Sequence, residues 1–180
     1  MGNSLMARAL TVIALILAVE RPLIAQRSPM ASDSSPKAEV EQVMNPLLEL
    51  TARLLEKHGE FYPVAGFLDA NGRFELVATY DGNEHPAATQ VLSDLRRVFQ
   101  QSATPNGYRA IGLAYDVRVV PPGSTNKTDA VLVELEHHTG YRVNVHWPYT
   151  RGRSGPPTFG APFAATGTLH CYDAAPPGGR

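Results

Sequence analysis

Only one cysteine, Cys171, occurs in the 180 residues, which excludes a disulfide-dense scaffold. An excess of charge of one sign is missing too. The 16 Lys and Arg nearly match the 17 Asp and Glu, so no net field points to nucleic acid or to an anionic membrane surface. No uncharged apolar run reaches the roughly 20 residues that a membrane-spanning helix needs. Phosphate loops, dinucleotide fingerprints, His-Glu-x-x-His and paired-cysteine zinc motifs are all absent, so no cofactor is implied. What is present is a 43% hydrophobic composition, enough for a core in a chain of this length and too apolar for full disorder. One domain is expected.

The N-terminus reads as an export signal. Arg8 precedes the uncharged aliphatic run Ala9 to Val19, and Pro22 follows it. Ala25, with Leu23 two positions earlier, marks a cleavage position, although Glu20 and Arg21 make that region untidy. The alternative is a buried or anchoring N-terminal helix; with the signal cleaved, no integral span remains. Residue 6 is Met6 rather than Ser or Thr, which argues against myristoylation of Gly2. Export puts Cys171 in an oxidising compartment without an intramolecular partner, so it stays free, stays buried, or bridges two chains as a homodimer. Asn126-Lys127-Thr128 matches a glycosylation acceptor and is read as a turn.

The organisation expected is a signal peptide over 1–25, a polar linker over 26–35, one α+β domain over 36–150 and a Gly/Pro-rich tail over 151–180. Ser35-Pro36 supplies a cap and a first-turn proline. Val40, Val43, Met44, Leu47, Leu50, Leu54 and Leu55 then recur at helical spacing, with a kink or restart expected at Asn45-Pro46 and a stop at Gly59. A first hairpin spans Tyr62 to Asp69 and Arg73 to Tyr80. A three-residue loop over 70–72, with Gly72 left-handed, gathers Tyr62, Val64, Leu68, Phe74, Leu76, Ala78 and Tyr80 on one apolar face. The second helix carries Val91, Leu92, Leu95, Val98 and Phe99.

A long strand follows from Arg109 to Val120, with small residues Ala110, Gly112 and Ala114 on one face for a helix to approach. The last hairpin pairs Thr128 to His137 with Tyr141 to Trp147 through a loop over 138–140. Its apolar face is Val131, Val133, Leu135, Val143, Val145 and Trp147; its reverse face is Glu134, Glu136, Arg142, Asn144 and His146. The order α-β-β-α-β-β-β predicts an antiparallel sheet of about five strands with both helices on one face. In the tail, read as largely irregular, Phe159 and Phe163 are candidates to dock, and only Thr166 to Tyr172 reads as a further strand.

Gly59-Glu60-Phe61-Tyr62-Pro63, Asp69 to Gly72, Asp129-Ala130 and the closing Pro148-Tyr149 resemble a set of uncharacterised bacterial single-domain α+β proteins. The resemblance covers about residues 40 to 150. It implies no activity, and no functional residue carries over.

Six histidines raise a metal hypothesis: His58, His85, His137, His138, His146 and His170. The sharpest grouping is His137, His138 and His146 beside Glu134 and Glu136. Zinc needs ligands converging at about 2 Å, whereas strand parity sends His137 and His146 to opposite faces. No metal site is therefore assigned. Asp69-Ala70-Asn71-Gly72 lacks the spacing of an EF-hand calcium loop and reads as a hairpin bulge. Gly152-Arg153-Ser154-Gly155 is one residue short of a nucleophile elbow, and adjacent His170 and Cys171 diverge on a strand.

The reverse face of the last hairpin, Glu134, Glu136, Arg142, Asn144 and His146, is the candidate binding surface, expected to be a solvated polar face. The second candidate is His58-Gly59-Glu60-Phe61-Tyr62, where an imidazole, a carboxylate and a phenol adjoin a helix end. The composition favours an exported non-enzymatic binding or interaction module for a protein or small molecule. The alternative is a small metal-dependent or acid–base hydrolase on Glu134, Glu136 and His146.

Overall fold

A computed structural model describes residues 34–77, 86–104, 107–152 and 155–173. The expected signal peptide and most of the linker lie outside the described residues, as do Ala78, Tyr80 and His85. The first helix, α1 (Pro36–His58), starts where Ser35 Oγ accepts from the Ala38 N–H at 3.2 Å and Pro36 takes the first turn. It ends at Gly59, whose φ of +78° lets its N–H close on Leu55 O. Pro46 neither stops nor restarts it: the helix runs through as one element.

Strands β1 (Val64–Asp69) and β2 (Phe74–Val77) form the first hairpin, with Leu68 opposite Phe74 and Gly66 opposite Leu76. The three-residue loop is as the parity requires, with Gly72 at φ +78°. Asp69 Oδ1 accepts from the N–H groups of Asn71 and Arg73, which secures the turn. Helix α2 (Ala88–Ser102) leads to β3 (Tyr108–Val119), β4 (Thr128–His137) and β5 (Arg142–Thr150). The β4–β5 register sets Glu136 against Arg142, Val133 against Val145 and Val131 against Trp147, and Gly140 turns the loop at φ +90°. Ser124 N–H to Pro121 O closes a turn between β3 and β4, just before the Asn126 sequon.

The class is α+β with an antiparallel sheet, but among the described residues that sheet has seven strands rather than about five. The additional pair are β6 (Thr158–Phe159) and β7 (Phe163–Thr166), both lying along β5, in the order β2-β1-β3-β4-β5-β6 with β7 also on β5. The tail is therefore built into the sheet up to Thr166, and residues 167–173, rather than forming a strand, cross the adjoining face.

The helices do not share a face. Helix α1 packs Val40, Val43, Leu47 and Leu55 onto Leu68, Ala110, Ala114, Val131, Val133 and Leu135. Helix α2 packs Leu95 and Phe99 onto the opposite face, with Ala65, Ile111 and Leu113, joined by Leu169 and Cys171 from the tail. The reason is visible in β3. Its small residues face α1, and its alternate residues Ile111 and Leu113 are themselves fully buried, so they need a cover of their own. A central strand apolar on both faces requires a layer on each side.

Candidate functional site

The candidate binding surface on β4 and β5 is occupied from within the chain. Glu134, Glu136 and Asn144 lie on the α2-side face and are buried, Glu136 to 0% exposure. Their solvent is replaced by the C-terminal segment. Glu136 Oε1 accepts from Arg142 Nε at 2.8 Å and Oε2 from the Cys171 N–H at 2.6 Å. Glu134 Oε2 accepts from Arg96 Nη2 of α2 at 2.6 Å and Oε1 from the Thr168 hydroxyl at 2.8 Å. Arg142 reaches on to Asp173 at 2.5 Å, and Asp173 also holds His170 Nδ1 at 2.9 Å. The expected solvated face is thus a closed polar layer. Sequence parity identified the face; it did not identify the cover, because Thr168 and Asp173 carry no periodic pattern.

His146 shares this face but is separate from the carboxylates. Its ring stacks on Phe163 with centroids 4.7 Å apart, burial lowers its pKa, and its Nδ1 is buried without a partner among the described residues. Cys171 is 1% exposed, and burial pushes its thiol up to about 12, so it is a packed group beneath the layer.

His137 lies on the other face, as parity requires, within a cluster that the sequence reading missed. Glu39, only 1% exposed, accepts from Ser34 Oγ at 2.5 Å, from Arg109 Nε at 2.9 Å and again from Arg109 Nη2. His137 Nε2 stands 3.0 Å from Glu39 Oε2. Since His137 Nδ1 accepts the Thr139 N–H at 3.2 Å, the neutral ring carries its proton on Nε2 and donates to the carboxylate. Burial raises the Glu39 pKa, but the bonds from Ser34 and His137 and the Arg109 charge outweigh that and hold it below 4.5. The signal was available: Glu39 sits four residues before Val43 and eight before Leu47, on the buried stripe of α1. This cluster pins the first turn of α1 to the ends of β3 and β4.

His138 flanks His137 with ring centroids 4.4 Å apart. Among the described residues, no three His, Cys, Asp or Glu side chains gather around a point that could hold a metal ion.

The second candidate region does line an opening. A cleft of about 540 Å³ lies between the C-terminal end of α1 and the start of β1, lined by Leu54, His58, Glu60, Phe61, Tyr62, Val64 and Ala88. Leu54 and His58 are one helical turn apart on α1 and so present one lip. The chain after the Gly59 cap supplies Phe61, Tyr62 and Val64 to the lining. Arg151, just beyond β5, donates to Gly59 O and fixes this corner. Tyr62 is 49% exposed, and Leu76, opposite Gly66 and diagonal to Val64, is 56% exposed. The apolar hairpin face expected from parity is thus buried at Leu68 and open at Tyr62 and Leu76.

Chemically, the cleft offers an aliphatic and aromatic lining with an imidazole, a carboxylate and a phenol at its mouth. Comparison with models of known families, with curated proteins and with solved structures finds no match for this chain.

Proposed function

We propose that this chain is an exported binding module whose ligand site is the cleft between α1 and β1. The observation that carries the reading is the cleft itself. Its volume of about 540 Å³ falls in the size range of small-molecule sites. Among the described residues its lining is apolar apart from His58, Glu60 and the Tyr62 hydroxyl, the composition of sites that bury a ligand body and orient it with a few polar groups. The ligand class that fits is a small molecule with an aromatic or aliphatic body and one hydrogen-bonding end. Export is supported by Arg8, the apolar run Ala9 to Val19 and Pro22. Among the described residues no helix is long and apolar enough to cross a membrane.

The test is saturation-transfer NMR on the purified chain with a panel of small aromatic and aliphatic alcohols, acids and amines. Binders are expected whose signal falls by about an order of magnitude in Tyr62→Ala, a loss in line with removing one aromatic contact. A panel with no binders, or binders indifferent to Tyr62→Ala and Leu54→Asn, rejects the cleft as the site. The intact mass of the chain recovered from an exporting bacterium tests the signal: cleavage after Ala25 is expected, and a full-length product rejects it.

A further inference from the structure

The segment after β7 is held by the sheet as a ligand would be. Gly167 passes β5 so closely that a Cβ on it would stand 2.5 Å from the Val143 nitrogen. Beyond it, side chains and backbone are matched one by one. Asn144 grips Thr168 twice, donating from Nδ2 to the hydroxyl at 3.0 Å and accepting the Thr168 N–H at 3.4 Å. The same hydroxyl donates to Glu134. Leu169 enters the apolar cluster of Phe99, Ile111 and Leu113. The Cys171 N–H meets Glu136, and Asp173 meets Arg142.

Baring the face gives up the segment's matched bonds and its apolar contact. Without the segment, Glu134 and Glu136 keep Arg96 and Arg142 but exchange the Thr168 and Cys171 donors for water, and Leu169 leaves the cluster of Phe99, Ile111 and Leu113. The face therefore favours an occupant with this pattern of groups.

We infer that the α2-side face of β4 and β5 is a recognition surface for an extended segment, and that its alternative occupant is the same segment donated by a second copy of this chain. The segment it reads has a hydroxyl residue, then a large aliphatic, a free main-chain N–H two residues on, and an acidic residue after that. A second copy is the partner because every contact named comes from one contiguous stretch, Gly167 to Asp173. With β6 and β7 before it, that stretch follows β5 through residues 151–157, which include Gly152, Gly155, Pro156 and Pro157, so another copy can supply β6, β7 and the stretch together. Within one chain the tether gives an effective concentration on the order of millimolar. Exchange therefore shows when the resident segment is weakened or the protein is concentrated. This surface is separate from the cleft, and its test does not depend on what binds there.

The experiment uses a labelled peptide of residues 158–173 against the full chain and its Thr168→Val variant. The variant weakens only the resident segment, since the peptide keeps its own threonine. The peptide is expected to bind the variant about tenfold tighter than the wild type, matching the loss of a hydrogen bond to a charged group. Thr168→Ser is expected to restore wild-type behaviour, and a peptide with Val at that position to lose the gain. Wild-type chain refolded at increasing concentration is expected to yield a growing dimer fraction that the peptide suppresses. Should Thr168→Val fail to fold, the exposed Asp173→Asn takes its place. Equal peptide affinity for wild type and variant overturns the recognition surface. Peptide binding with a chain that stays monomeric at every concentration overturns the second copy as its occupant.

Discussion

Gly112 lies directly beneath Val43: a Cβ on this glycine would come within 2.7 Å of Val43 Cγ1 and 3.1 Å of Leu47 Cδ1. Its backbone is ordinary strand, so the requirement is for space rather than for an unusual φ. It sets how closely α1 seats on the sheet. Gly112→Ala is expected to cost about 1 kcal/mol and Gly112→Val about 3 kcal/mol, because overpacking outweighs the chain-entropy gain of replacing glycine. Urea unfolding measures both; an alanine variant more stable than wild type contradicts this seating.

Gly140 makes the converse case. Its φ is +90°, and among the described residues nothing lies within 4 Å of where a Cβ would stand. Gly140→Ala should cost about 1–2 kcal/mol from backbone conformation alone. The β4–β5 register should survive, read from cross-strand NOEs between residues 133 and 145. Register loss would show that Gly140 does more than turn the chain.

The Glu39 cluster makes stability depend on acid. Its folded pKa is held below 4.5 by Ser34, His137 and Arg109 against burial. A depressed carboxylate contributes its full stability above the unfolded value and loses it as pH falls through the folded one. Wild type should therefore lose stability steeply below about pH 4.5, and Glu39→Gln should flatten that slope. At neutral pH Glu39→Ala should cost about 3 kcal/mol, since it leaves Arg109 and His137 without their buried partner. Equal acid slopes in wild type and Glu39→Gln would contradict the assignment.

Cys171 should be silent in the native state. Its thiol is buried and pushed up to about 12, so Ellman's reagent should react only as the chain unfolds. Particle size should be identical with and without reductant. Rapid native labelling, or a reductant-sensitive dimer, would restore the cysteine bridge considered from the sequence.

Much of the sheet was legible because hairpin parity is a local, two-valued choice. Placing Leu68 against Phe74 and Glu136 against Arg142 required only the apolar pattern and a glycine at the left-handed position. What parity cannot supply is which layer lies over which face. Ile111 and Leu113 showed that β3 has a second apolar face, yet only α2 and Leu169 in three dimensions show how it is covered. The polar stripe Glu134, Glu136 and Asn144 reads as solvated by the same logic. Its burial depends on Thr168, Cys171 and Asp173, whose contacts with it span about thirty residues of chain and leave no periodic trace. The cleft was half legible: His58, Glu60 and Tyr62 were singled out by type, while Leu54, Val64 and Ala88 join them only in the fold.

Entry of small ligands between α1 and β1, as proposed above, is read residue by residue through amide chemical-shift mapping. Titration with the strongest binder should move the resonances of residues 54, 58, 60 to 64 and 88 together, with one saturating isotherm. Shifts centred instead on β4 and β5, or a spectrum unmoved at saturating ligand, would contradict it.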